Sequence, residues 1–411
     1  MEKDFIEQYM EYVGESEAPT LYHRWCCISM LGALVGRNIF ISFGHGKIYP
    51  NQYIMLMGSP GTRKGTAMGI SSRLLKSIGY NKFAPDRVSK ERLLMELKAS
   101  KDKEFNQDDL DLAALTVDSP SELYCVAEEF TDFVGQGNME FMTMLTKLWD
   151  NMSEYTHPKI HGKSIIVEKP TVNLFGGNTA QGLSLAIPPE AMGNGFLSRV
   201  IFVFSEPTGI QITWPVPPSE TLKASLGEQL KYFQAMKGEI VPSPDANLLL
   251  DKMYKGFKGV NDNRFKHYAT RRFTHLLKIC MLIALSRNRF TIEVIDALDA
   301  NTLLHYTENR MPKALGEFGR SKYGDVTNMI IEHLAHANKP VGLNELQKLV
   351  ARDISKSGEL VEIMKNLVAA EKAQVITIKT KQGYMIRHVV EETWDSSLLN
   401  ESFLTEEERS I

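Results

Sequence analysis

The chain has 411 residues, 47 of them Lys or Arg and 50 Asp or Glu, for a formal net charge of -3, and 43% of them are hydrophobic. That balance excludes disorder throughout, and the length excludes a peptide-sized or disulfide-framed module and suggests two or three domains whose cores need no staples. The longest apolar runs, Ile28 to Val35 and the Lys-interrupted Leu276 to Leu285, fall short of the roughly 18 residues of a membrane span, and the acidic start leads into no signal-peptide core, so an intracellular, cytoplasmic protein with no membrane partner is expected.

Residues 1–43 read as helical, with Phe5, Ile6, Tyr9 and Met10 and then Trp25 to Val35 at helical spacing, and are expected to form an N-terminal helical collar. Four short apolar runs follow: Tyr53 to Met57, Leu123 to Ala127, Val172 to Phe175 and Val200 to Phe204. Helical patterns separate them, which predicts an α/β core over 44–206 built on a parallel sheet. Lys101 to Asp111, rich in Lys and Asp, reads as an exposed loop. The prolines of Pro207 to Pro218 end this layer, and 207–318 is expected to be an all-helical lid that includes Arg271 to Ser286 and Thr291 to Tyr306. Over 319–390, helices at Asp325 to Ala337, Leu343 to Ala351 and Ser357 to Ala370 precede strands at Gln374 to Lys379 and Tyr384 to Arg387, with a turn at Lys381-Gln-Gly383. Three helices and a hairpin in that order describe a winged helix. Residues 391–411 hold seven acids against Arg409 alone and read as a flexible acidic tail, free to compete for basic surfaces such as those of replication proteins. Cys26, Cys27, Cys125 and Cys280 lack C-x-x-C spacing and are expected to be buried thiols; His333 with His336 is too weak a pair to predict a metal site.

The segment Gly58-Ser59-Pro60-Gly61-Thr62-Arg63-Lys64-Gly65-Thr66 stands directly after the first strand and before a helix. In that setting small residues free backbone N–H groups to cup phosphates, the helix dipole adds positive potential and Lys reaches the terminal phosphates. Against G-x-x-x-x-G-K-[ST], Arg63 replaces the second Gly and Gly65 the hydroxyl residue that binds Mg2+. Thr66, one place later, is expected to supply the hydroxyl, and Arg63 implies a backbone that need not take positive φ. The second strand ends in Glu128 and Glu129, the first suited to hold Mg2+ and the second to polarise an attacking water. The third ends at Asn178, whose amide either holds that water or the γ-phosphate, or only caps the next helix. Arg199, in Gly193-Asn-Gly195-Phe-Leu-Ser-Arg199, reads either as an arginine finger reaching the γ-phosphate of a neighbouring subunit or as a surface ion-pair residue. Arg271, with Arg272 as second choice, opens a lid helix and is expected to close over the nucleotide.

Taken in this order, these motifs resemble those of an AAA+ ATPase, and within that superfamily those of bacteriophage and mobile-element replicative DNA helicases, related to superfamily III viral helicases and to MCM helicases. The phage primase-helicase type of P-loop ATPase is the most similar, through Thr62-Arg63-Lys64 and Gly195-Phe-Leu-Ser-Arg199, and Thr270 to Leu285 followed by Thr291-Ile-Glu-Val-Ile-Asp-Ala-Leu is similar to the MCM lid. The resemblance spans about residues 20–310. It implies an ATP-dependent DNA helicase or translocase in a bacterial host cytoplasm, with ATP and Mg2+ as cofactors and a homo-oligomeric ring, usually a hexamer, binding ATP between subunits. No primase domain fits before residue 50, so primase activity is not implied.

Just ahead of the third strand, the β-prone segments around His161-Gly-Lys163 predict a hairpin, where the resembling helicases carry a pore hairpin. Lys159, His161 and Lys163 would grip phosphates of single-stranded DNA, or form a merely solvated basic hairpin. The basic stretch Lys252 to Arg272, interleaved with Tyr254, Phe257, Phe265 and Tyr268, suits nucleic acid and a core-facing helix equally. Lys379 and Lys381 on the wing would touch duplex DNA, unless the wing serves protein contact. A reading from another class is an ATP-switched DNA-binding or helicase-loading factor, favoured by the altered loop; a third is a structural protein with a decayed ATP site.

Overall fold

A computed structural model describes residues 3–14, 16–101, 119–158, 163–187, 195–316, 324–337, 339–352, 354, 357–369, 373–378, 381–386 and 395–409. The four apolar runs are strands β1 (Tyr53–Met57), β2 (Ser121–Ala127), β3 (Pro170–Asn178) and β4 (Val200–Phe204). They are almost wholly buried. Strands apolar on both faces belong in a parallel sheet covered on both sides. All four pair in parallel in the order β2-β3-β1-β4. Tyr53 stands opposite Leu174 and Val200, and Met57 opposite Asn178 and Phe204. The register therefore delivers Gly58, Glu128 and Asn178 to the same C-terminal edge of the sheet. Lys101 to Asp111 lies, apart from Lys101, outside the described residues.

The expected collar is instead part of the core. Helix α1 (Phe5–Val13) starts with a capping box between Asp4 and Glu7, and α2 (Thr20–Val35) is buried at every position from Leu21 onward. A helix apolar all round must lie inside a fold. Tyr22 donates to the Met57 carbonyl at 2.6 Å, Trp25 Nε1 to Thr307 Oγ1 at 3.0 Å, and Ser29 Oγ lies 3.0 Å from the Tyr124 hydroxyl. Ile39–Phe43 is a strand, paired antiparallel with Gly46–Ile48 and parallel with Gly238–Glu239, a partner some 200 residues away that no local pattern announces.

Helices dominate the region after Pro218, but it is not all-helical: Gly238–Glu239 is the strand paired with Ile39–Phe43, and Val241–Pro242 pairs in parallel with Thr291–Ile292, where the sequence predicts helix. Glu220–Ala235 and Pro244–Gly256 lead to two long helices. These are α5 (Arg272–Ser286) and α6 (Val294–Glu308), numbered after α3 (Lys64–Ser77) and α4 (Met139–Trp149) of the core. Trp214 stands 87% exposed in the proline-rich connection. One hydrophobic cluster runs from Phe5 through Leu315, so the regions expected as collar, core and lid fold as one compact unit, 1–318 with 397–411. Among the described residues no helix is long and apolar enough to cross a membrane. All four cysteines are buried and unpaired.

The acidic tail is not free. Its residues 403–408 dock on α2, where Arg24 Nε and Nη2 donate to Glu408 at 2.6 and 2.9 Å and the guanidinium lies 4.6 Å from the Phe403 ring centre. Thr20 donates to Glu407, and Leu404 is buried. Counting acids misses this because one long-range partner decides their fate. Glu408→Ala strands the Arg24 charge, whose side chain is 7% exposed, and is expected to cost about 3 to 5 kcal/mol in urea unfolding; an unchanged midpoint would show that the pair contributes nothing.

The second unit, 319–396, has its own core of Val326, Ile330, Leu334, Leu346, Leu360 and Met364. Helices Gly324–His336, Leu343–Leu349 and Ser357–Ala369 precede antiparallel strands Ala373–Ile378 and Lys381–Ile386, the predicted order. The expected turn at Lys381-Gln-Gly383 is displaced: Ile378 pairs with Lys381, and Gly383 lies within the second strand. A Cβ on Gly383 would approach the Pro340 Cβ to 2.7 Å, so this glycine serves close packing rather than chain reversal.

Candidate functional site

The loop Gly58 to Arg63 leaves β1 at the C-terminal edge of the sheet and enters α3, which begins at Lys64. Thr62 Oγ1 donates to the Ser59 carbonyl at 2.6 Å, tying the loop to itself. Lys64 is largely buried; its Nζ donates to the carbonyls of Gly58 and Ser59 at 2.9 and 3.1 Å. Burial lowers the Lys64 pKa from its ordinary value, and the charge of Glu129 works against that shift. Lys64, the loop and Glu129 thus share one neighbourhood at the start of a fourteen-residue helix.

Arg63 contradicts the expectation for its backbone. It is the N-cap of α3 with φ 61 and ψ 27, a left-handed conformation, so the chain keeps the geometry of a glycine without having one. Arg63 Nη2 lies 2.5 Å from Glu17 Oε2, but that side chain is 53% exposed, and such a pair returns little. Arg63→Gly is therefore expected to stabilise the fold by about 1 kcal/mol, through relief of left-handed strain; a loss of stability in urea would mean that the Glu17 pair outweighs the strain.

Glu128 and Glu129 follow β2, both exposed at the same edge. Glu128 leans over the first turn of α3: a Cβ built on Gly65 would meet Glu128 Oε2 at 2.8 Å. Thr66 is exposed one residue further round the helix. Asn178 is buried and already engaged. Its Nδ2 donates to Thr131 Oγ1 at 3.0 Å and its Oδ1 accepts from Thr179 N at 2.9 Å, while Thr179, not Asn178, caps the next helix. Asn178 thereby ties β3 to the short helix Phe130–Val134 that follows Glu129. No family model matches the chain, and no curated protein does.

Arg199 and Arg271 lie at the opposite end. Arg199 precedes Val200, which pairs with Tyr53, so it sits at the N-terminal edge of the sheet, roughly 13 Å of strand from the loop. Its Nη2 donates to Asp150 Oδ2 at 2.5 Å and its Nη1 to the Gly195 carbonyl at 2.9 Å, leaving the side chain 7% exposed. Arg271, expected to close over a nucleotide, donates to the other oxygen of Asp150 at 3.3 Å. Both guanidiniums and Lys278 Nζ face the Trp149 ring, at 5.5, 5.4 and 4.0 Å from its centre. Burial and the Arg199 charge lower the Arg271 pKa, and burial holds Lys278 well below its usual range while its Nζ donates to the Asn51 carbonyl at 2.7 Å. His275 donates from Nε2 towards the Ser198 carbonyl at 3.3 Å, and burial lowers it to about 3, so it stays neutral. Sequence reasoning missed Trp149, Asp150 and Lys278, because nothing in a helix end or an apolar helix marks them. Arg272, the second choice, is structural: 2% exposed, it binds Glu308 and Asn301 and covers the Phe257 ring.

The predicted hairpin forms: Glu154–His157 pairs antiparallel with Ile165–Glu168 and runs into β3. Lys163 is exposed; Lys159 and His161 lie outside the described residues, as does Lys379, while Lys381 pairs with Ile378. Among the described residues no cluster of three or more His, Cys, Asp or Glu gathers as a metal site. A magnesium nucleotide needs less, since the phosphates and water supply most of the ion's oxygens and one or two carboxylates the rest.

Proposed function

We propose that the chain is an ATP-dependent DNA translocase or helicase of the AAA+ type, with a winged helix over 319–390, acting as a ring of identical subunits. The observation that carries this reading is that Lys64, at the start of α3, and the acids Glu128 and Glu129, at the end of a strand two places away, meet at one edge of a parallel sheet. Backbone N–H groups of Gly61 to Gly65 and the start of α3 bind the phosphates, and Lys64 turns from its loop carbonyls to their terminal oxygens. Glu128 would hold a divalent ion carried in with the nucleotide, and the ion would draw off negative charge from the phosphates. Glu129 takes a proton from the attacking water, and Asn178 fixes the strand and helix on either side of it.

Arg199 and Arg271, one strand length from their own loop, serve the nucleotide of the neighbouring copy, and Asp150 holds both in place until then. Lys163, with Lys159 and His161, grips single-stranded DNA through phosphates, and Lys379 and Lys381 meet duplex DNA. Hydrolysis in each subunit would drive this hairpin along the strand.

The altered loop, with Arg63 in a left-handed conformation and Gly65 without a hydroxyl, favours one second reading: a loading factor that assembles on DNA under ATP without unwinding it. A forked duplex with a labelled strand decides between them. Strand release that needs ATP supports the helicase, while ATPase activity stimulated by single strands without release supports the loader, and neither response contradicts both.

A further inference from the structure

The residue after the lysine of a phosphate loop ordinarily brings a hydroxyl to the metal, and here it is Gly65. Glu128 fills the room such a side chain needs: a Cβ at Gly65 would stand 2.8 Å from Oε2, 3.2 Å from Cδ and 3.8 Å from Cγ. The next residue does not make up the loss. Thr66 lies about 100° further round the helix, and its side chain is exposed. Gly65 also stands in the first turn of α3, where the helix dipole favours a negative group.

We infer that Glu128 and Gly65 act as one unit, in which the Glu128 carboxylate takes the place of the missing hydroxyl and binds the nucleotide's divalent ion directly, while Thr66 is not a ligand. This rests on the nucleotide reading above. A hydroxyl is neutral and tolerates phosphate without metal. A carboxylate does not: in the absence of the ion its charge faces the triphosphate, so binding becomes tightly coupled to metal. The class of ligand is thus a hard, oxygen-preferring cation such as Mg2+ or Mn2+, carried in with the nucleotide.

The test is calorimetric binding of a non-hydrolysable ATP analogue to the full chain, once with Mg2+ and once with a chelator. The wild type should bind at least roughly tenfold tighter with Mg2+. Glu128→Gln should bind the metal-free analogue more tightly than the wild type does and lose most of the gain from Mg2+. Thr66→Ala should keep that gain. Gly65→Ser, which collides with Glu128, should weaken binding with Mg2+, and adding Glu128→Ala to it should return the Mg2+ dependence through the new hydroxyl. Urea unfolding of each variant separates folding loss from binding loss. A gain from Mg2+ that persists in Glu128→Gln, or collapses in Thr66→Ala, would overturn the inference while leaving the nucleotide site standing. No binding by the wild type under either condition would remove the site itself, and the inference with it.

Discussion

Glu129→Gln is expected to slow ATP hydrolysis by about 10²- to 10⁴-fold, the usual contribution of a general base, while nucleotide binding stays within a few fold of the wild type. Glu129 stands exposed after β2, its charge acts on Lys64, and its backbone opens the helix Phe130–Val134. Its side chain caps nothing in that helix, so the amide keeps the shape and removes only the proton acceptor. Steady-state phosphate release and analogue binding, measured on the same preparation, check the two halves. Turnover close to the wild type would remove Glu129 from the reaction.

Arg199→Ala is expected to cut hydrolysis by about 10³-fold or more, the range of arginine fingers in other nucleotide hydrolases. Loss alone would not place the residue, since it also holds Asp150 and faces Trp149. Mixing does. Lys64→Ala and Arg199→Ala subunits, each inactive alone, should regain part of the wild-type rate when assembled together, because some interfaces then pair an intact loop with an intact arginine. Arg271→Ala should behave as Arg199→Ala does, since both meet the same carboxylate. Mixtures as inactive as their parts would confine Arg199 to the ion pair seen within the chain.

Much of the fold is legible in the sequence because fully buried parallel strands read as uninterrupted apolar runs: β1 and β4 have the predicted bounds, and β2 and β3 are extended versions of theirs. The edge where Gly58, Glu128 and Asn178 emerge follows directly from those strands. What the sequence hides depends on single long-range partners. Arg271 and Arg272 are neighbours with the same charge, yet one meets Asp150 at the protein surface and the other Glu308 inside, and only the packing of α5 on α6 separates them. Glu408 looks like one more solvated acid until Arg24 is placed beside it. Arg63 shows the limit of residue preference: the turn from β1 into α3 imposes a left-handed residue there whatever its side chain. The single substitution at Gly65 reads as a defect in the motif, and becomes intelligible only when Glu128 is seen occupying the space.

Nucleotide binding to the loop around Lys64 is tested most directly by titrating the wild type and Lys64→Ala with a non-hydrolysable ATP analogue and Mg2+ in a calorimeter. Saturable binding at one site per chain, weakened at least roughly tenfold when the Lys64 ammonium is removed from the phosphates, is the expected result. Absence of binding to the wild type, or equal binding by both proteins, would mean that this loop holds no triphosphate and that the edge formed by Lys64, Glu128 and Glu129 serves some other purpose.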